Sequence, residues 1–118
     1  PDPVARFRDG NAGGHLDLPR ARSGGFAGGL FACYVPSAPY DRSAGPAPAV
    51  EHAAALDTTL AIAALLFRLE RADALTICRS VADIRAAMAA EKLAAVLHIE
   101  GAEAIGPDLA ALDVLYAA

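Results

Sequence analysis

Three observations predict an α/β fold. Two apolar runs have strand length, 30–35 (LFACYV) and 93–99 (LAAVLHI), and each is closed by turn-forming or polar residues. An alanine-rich stretch at helical spacing, 49–71, lies between them, and shorter helical patterns follow residues 80 and 106, so strands and helices alternate. Runs that are apolar without a period of two suit strands buried on both faces, as in parallel sheets covered by helices. Such strands need further strands beside them, and a closed barrel and an open doubly wound sheet both serve.

Each element has its own grounds. Residues 1–29 are rich in Gly, Pro, Arg and Asp and hold no sustained period of 2 or 3.6, so a loop-rich entry segment is expected. The run 30–35 sits between Gly28-Gly29 and Pro36 and reads as the first strand. Residues 37–48 (SAPYDRSAGPAP) carry three prolines, whose fixed φ and missing N–H groups block helix and ladder alike, so a surface connection is expected. From 49 to about 71, Val50, Ala53, Ala54, Leu56, Leu60, Ala61, Ala64, Leu65 and Leu69 recur at helical spacing and predict a long helix. Residues 75–78 form a short strand candidate. Ser80 then reads as an N-cap with Asp83 three residues on, opening a helix through Ile84, Ala87 and Met88 to about Glu91, with Lys92 at its negative end. The run 93–99 reads as a central parallel strand ending in Glu100-Gly101-Ala102-Glu103. Finally, Pro107 suits a first helical position, Asp108 complements the positive end, and Leu109, Leu112 and Leu115 or Tyr116 give an apolar face.

Composition sets the class of partner. At 118 residues the chain has room for one compact domain, and at 55% apolar against 20% charged it is too hydrophobic to remain disordered. Its longest unbroken apolar run, 60–67, falls short of the roughly 20 residues of a membrane-spanning helix, so no transmembrane segment is expected. A formal charge of -4 and ten basic residues scattered singly argue against nucleic acid. Cys33 and Cys78 lie in apolar stretches and form no CxxC pair, which reads as two reduced, buried thiols. No charged start followed by an apolar core marks a signal peptide, so a cytoplasmic location is expected. The chain starts at Pro1 without Met and reaches Ala118 inside a helical pattern without a cap, so a piece of a longer protein is expected.

Chemistry concentrates at Glu100. A carboxylate where a buried strand ends in a glycine turn lies at the carboxyl edge of a parallel sheet, where ligands bind in barrels and open sheets alike. Burying that charge costs several kcal/mol unless a metal or an Arg compensates it, so a functional carboxylate and a structural salt bridge both remain open. His98 shares its strand face two residues earlier, beside Val96; it reads as a core histidine or, less simply, as a second ligand. His15-Leu16-Asp17 has the HxD form that can supply two metal ligands, yet among Gly13, Gly14 and Pro19 it equally forms a turn in which Asp17 accepts from nearby N–H groups. Glu103 reads as a solvated or helix-entry carboxylate. The Gly24-Gly25 and Gly28-Gly29 pairs precede a strand and lack the Lys and Ser or Thr of a P-loop, so they read as tight turns. No GxSxG and no paired Cys and His supports a nucleophilic hydrolase.

Three segments in register resemble the membrane dipeptidase family of metallopeptidases. They are 15–36 (HLDLPRARSGGFAGGLFACYVP), 80–92 (SVADIRAAMAAEK) and 96–101 (VLHIEG). The resemblance implies a partial (β/α)8 TIM-type barrel, the early β/α units only. Residues 1–118 would then form a single partial domain lacking the first strand and the C-terminal units. It implies two zinc ions in the intact protein, a dipeptide substrate and a metal-activated water, and it allows a homodimer. Glu100 matches the family's bridging carboxylate and is the one metal ligand that carries over. His15 and Asp17 align with a different motif from the family's metal-binding His-x-Asp and are not assigned as ligands. The remaining ligands would lie outside the chain, so the fragment alone is expected to be inactive. The sequence departs from the family's frequent Glu-Gly-Gly-His at Ala102 and Glu103, and His98 stands where a small residue is common. The alternative is a metal-free barrel homologue acting as a binding or structural protein, with Glu100 paired to an Arg.

Overall fold

The computed structural model describes residues 2–37 and 48–118; the connection expected over 37–48 lies almost wholly outside the described residues. Two compact units are present, Pro1–Phe31 with Ala63–His98, and Ala32–Ile62 with Ile99–Ala118.

The entry segment holds two short helices where the sequence reads as loop. Helix α1 spans Pro3–Asp9, with the Asp2 side chain accepting from Val4 N and Pro3 at the start, where its missing N–H costs nothing. Helix α2 spans Leu18–Ser23 and is capped by Asp17. At seven and six residues neither helix is long enough to display a period; the signal lay in two Asp-containing N-caps, each with a proline in the first turn.

The Asp17 carboxylate is 3% exposed and saturated with donors. Its Oδ1 accepts from Arg20 N at 2.9 Å, and its Oδ2 accepts from Asn11 N at 2.9 Å and Arg20 Nε at 2.8 Å. The guanidinium also donates to the carbonyls of Asn11 and Gly14, closing the loop from 11 to 17. The backbone N–H groups of Arg20 and Asn11, then the guanidinium, hold the Asp17 carboxyl below the usual carboxylate range. Its stabilising contribution is therefore complete above about pH 4, the unfolded value, and is lost as pH falls through the lower folded value. Asp17→Ala should lower the melting temperature by roughly 5–10 °C near neutral pH, with the difference from the parent shrinking in acid. Thermal melts at pH 7 and pH 3 check both parts.

The sheet has the order β1-β3-β2, so β3 is central, as the apolar run 93–99 predicts. Strand β1 spans Gly28–Tyr34, β2 is only Thr76–Ile77, and β3 spans Ala94–Glu100. β2 and β3 are parallel, with Thr76 opposite Ala94 and Ile77 opposite Ala95. β1 and β3 begin side by side, with Ala94 N donating to Ala27 O at 2.9 Å. A β-carbon added at Gly28 would collide with the Ala94 carbonyl, so the two backbones approach as closely as only glycine permits.

Both faces at the start of β3 are covered. Ala95 belongs to a core with Val4 of α1, Leu18 and Ala21 of α2, and Leu66 and Leu69 of helix α3, which spans His52–Arg71. Ala94 and Val96, which alternate with Ala95, pack with Cys78 and with Ile84 and Ala87 of helix α4, spanning Val81–Ala89. Ser80 caps α4, accepting from Asp83 N at 3.1 Å, while Asp83 accepts from Arg79 N at 3.0 Å. Lys92 forms an ion pair with Asp73 rather than serving α4 alone.

Helix α3 begins at His52, three residues later than its pattern suggests, where Glu51 accepts from Ala54 N. Its buried stripe is Ala55, Thr59, Ala63, Leu66 and Leu69, whereas Leu60, Ala61 and Ala64 are exposed. Alanine and leucine occur on every side of this helix, which blurs the period used to assign a face. At 20 residues α3 has the length and composition of a membrane-crossing helix despite its short unbroken run, and one stripe of it packs into the protein. Thr59 is fully buried and its hydroxyl has no hydrogen-bond partner among the described residues. Thr59→Val preserves the shape and removes an unsatisfied group, so stability should rise by about 1 kcal/mol, read as a higher denaturation midpoint.

Helix α5 spans Ala110–Ala117 and starts later than the Pro107 position that the sequence suggests. Leu109 N donates to Gly106 O, Leu109 is left-handed at φ +59°, and Asp108 Oδ1 accepts from Ala110 N at 3.2 Å. Pro107 thus serves a turn, which its fixed φ suits as well as a first helical turn. Of the apolar face expected on α5, Leu115 is buried while Leu112 and Tyr116 are exposed.

Candidate functional site

Glu100 is the last residue of β3, at the carboxyl edge of the central strand. The charge is not buried there: its side chain is exposed, and among the described residues no hydrogen bond or ion pair engages it. The desolvation cost expected of a buried strand end therefore does not arise, and no Arg among the described residues forms the alternative salt bridge. The strand leaves the sheet through Gly101 at φ +101°, in the region that favours glycine. A β-carbon at Gly101 would meet the Glu103 carboxylate, so that side chain lies folded over the turn.

The turn is held from helix α3. His52, the first residue of that helix, places Nδ1 3.0 Å from the carbonyl oxygen of Glu103. A carbonyl only accepts, so Nδ1 carries the hydrogen and Nε2 is left toward Gly106 and Asp108. A β-carbon at Gly106 would lie 3.3 Å from His52 Nε2 and 3.2 Å from Asp108 Oδ1. His52 and Glu103 also line an open cavity of about 540 Å³ with Ser37, Val50, Ile105 and Pro107. Nothing in the sequence singled out His52, because a lone histidine at a helix start carries no spacing motif.

The other candidates separate cleanly. His15 is exposed, whereas both oxygens of Asp17 are consumed by the α2 cap and Arg20, so the HxD pattern is a structural turn. His98 is half-buried on the strand face it shares with Ala94, Val96 and Glu100. Cys33 and Cys78 are free and buried, and burial pushes both thiols up, away from the reactive thiolate. Among the described residues no three His, Cys, Asp or Glu side chains gather to hold a metal. As a donor, Glu100 suits a divalent cation in kind, being a carboxylate with no competing partner, but it supplies one ligand where a closed site needs three or four.

A family model described as membrane dipeptidase (peptidase family M19) matches residues 4–118. An uncharacterized protein in the PQQ-III 3' region of Acinetobacter calcoaceticus is 40% identical over 126 residues, which cover 98% of this chain and 39% of that protein. A crystal structure of a metallopeptidase from Rhodobacter sphaeroides, liganded with a phosphinate mimic of the dipeptide L-Ala-D-Ala, is similar with a TM-score of 0.84. It is 37% identical, over 97% of this chain and 37% of its own. The crystal structure of dipeptidase AC, a metallopeptidase of family M19, is similar with a TM-score of 0.84 and 38% identity, over 97% of this chain and 36% of its own. The chain thus spans about two fifths of the length of these relatives.

Proposed function

This chain belongs to the membrane dipeptidase family of metallopeptidases, peptidase family M19, and on that premise we propose that the protein it forms part of hydrolyses dipeptides with Glu100 as a metal ligand. The observation that carries the reading is the placement of Glu100, exposed and without a partner among the described residues at the carboxyl edge of the central parallel strand. That edge is where barrel enzymes assemble their sites from strand ends. The three strands are read as early strands of a (β/α)8 barrel completed by the rest of the protein. The metal is proposed to be zinc, as two ions, which when bound would polarise the scissile carbonyl and bring a water's pKa down toward about 7. Glu100 contributes charge and one or two oxygens; Gly101 lets the chain turn away at once, leaving that carboxylate clear of its own backbone.

Support comes from the two metallopeptidase structures, one of which binds a dipeptide mimic. With a single candidate ligand, the chain alone is proposed to be inactive. The test is hydrolysis of dipeptides such as L-Ala-D-Ala by the full-length protein, before and after chelation. Activity should vanish with chelator and return with zinc. Turnover that survives exhaustive chelation would refute the mechanism, and a full-length protein that neither binds metal nor cleaves dipeptides would favour the metal-free binding protein.

A further inference from the structure

We propose that His52 is a positioning residue for Glu100, an inference that rests on the reading of Glu100 as a metal ligand. Glu100 ends the β3 ladder, and the next residue, Gly101, occupies a left-handed conformation that restrains the backbone little. Glu100 is therefore braced on one side by the strand and on the other by whatever fixes the following turn. The turn closes on itself through Ile105 N donating to Ala102 O at 2.9 Å, and it is rooted by Ala104, which is 2% exposed. A side-chain tether to helix α3 is His52 Nδ1–H donating to Glu103 O, three residues from Glu100. The same imidazole lies close to Gly106, where an added β-carbon would come within 3.3 Å of Nε2. A ligand held by a hydrogen-bonded support loses affinity when the support is removed, by roughly 10–100-fold in metal sites.

The experiment uses the full-length protein and zinc as the probe, with affinity measured by competition against a chromogenic chelator and stability of the metal-free form by thermal melting. His52→Ala should weaken zinc binding by about 10-fold or more. His52→Asn, whose amide nitrogen can take the place of Nδ1, should retain most of the affinity, and His52→Gln, whose amide reaches too far, should not. Equal zinc affinities for the Asn and Gln variants would overturn the proposal even if the Ala variant fails to fold, as would a His52→Ala protein that melts lower yet binds zinc like the parent. Glu100→Gln separates the two levels. If it loses zinc while His52→Ala does not, only the positioning role falls; if it binds zinc like the parent, Glu100 is not a ligand and both readings fall.

Discussion

Glu100→Gln in the full-length protein should cost more than about 100-fold in zinc affinity, beyond what loss of a supporting residue causes, and dipeptide hydrolysis should fall with it. The substitution is close to isosteric and removes only the charge. Because the carboxylate is exposed and engages no described residue, its loss should change the stability of the metal-free protein by no more than about 0.5 kcal/mol. That contrast gives the experiment its power: a variant that melts like the parent without metal, but no longer gains stability when zinc is added, has lost a ligand and nothing else. A parallel fall in metal-free stability would show instead that Glu100 holds the fold together.

Gly28→Ala should have the largest effect on folding. The added methyl group would strike the carbonyl oxygen and carbonyl carbon of Ala94, which are backbone atoms in the middle of the sheet and cannot swing aside as a side-chain tip can. Relief requires β1 and β3 to part, which lengthens the bond from Ala94 N to Ala27 O and disturbs Ala95 in the main core. Overpacking and the lost hydrogen bond together amount to about 2–4 kcal/mol. Chemical denaturation of parent and variant measures it, and an unchanged midpoint would mean that the strands approach less closely than described. Gly29, whose β-carbon would meet only the ring edge of Phe26, is the control that should tolerate Ala better.

How much of this was legible in the sequence depended on length and contrast. β3 and the existence of α3 followed from their apolar character, and the Ser80 cap of α4 was readable because a hydroxyl before a helical pattern has one dominant use. α1 and α2 were not, since helices of about two turns have no period and exist here through Asp2, Asp17 and tertiary burial of Val4, Leu18 and Ala21. The apolar residues that recur along α3 do not mark its buried stripe, because alanine surrounds the helix: Thr59 turns inward while Leu60 is exposed. Position on the strand identified Glu100, but its exposure was not foreseen, because how much of a strand end is covered depends on neighbours that its own sequence does not encode. His52 acts through a backbone carbonyl more than fifty residues away, and such a pairing leaves no local trace.

The brevity of β2 has a consequence for hydrogen exchange. Its two residues pair with Ala94 and Ala95, so from Val96 onward that border of β3 has no strand beside it among the described residues. Amides at the root of β3 should hold their protons far longer in deuterated water than outward-facing amides near its tip, which makes the strand a graded rather than a uniform support. The uncovered border is also a template onto which another extended segment can add. A free chain of this length would meet that segment first in its own copies, whereas any segment that docks there natively should slow exchange at the tip and suppress self-association together.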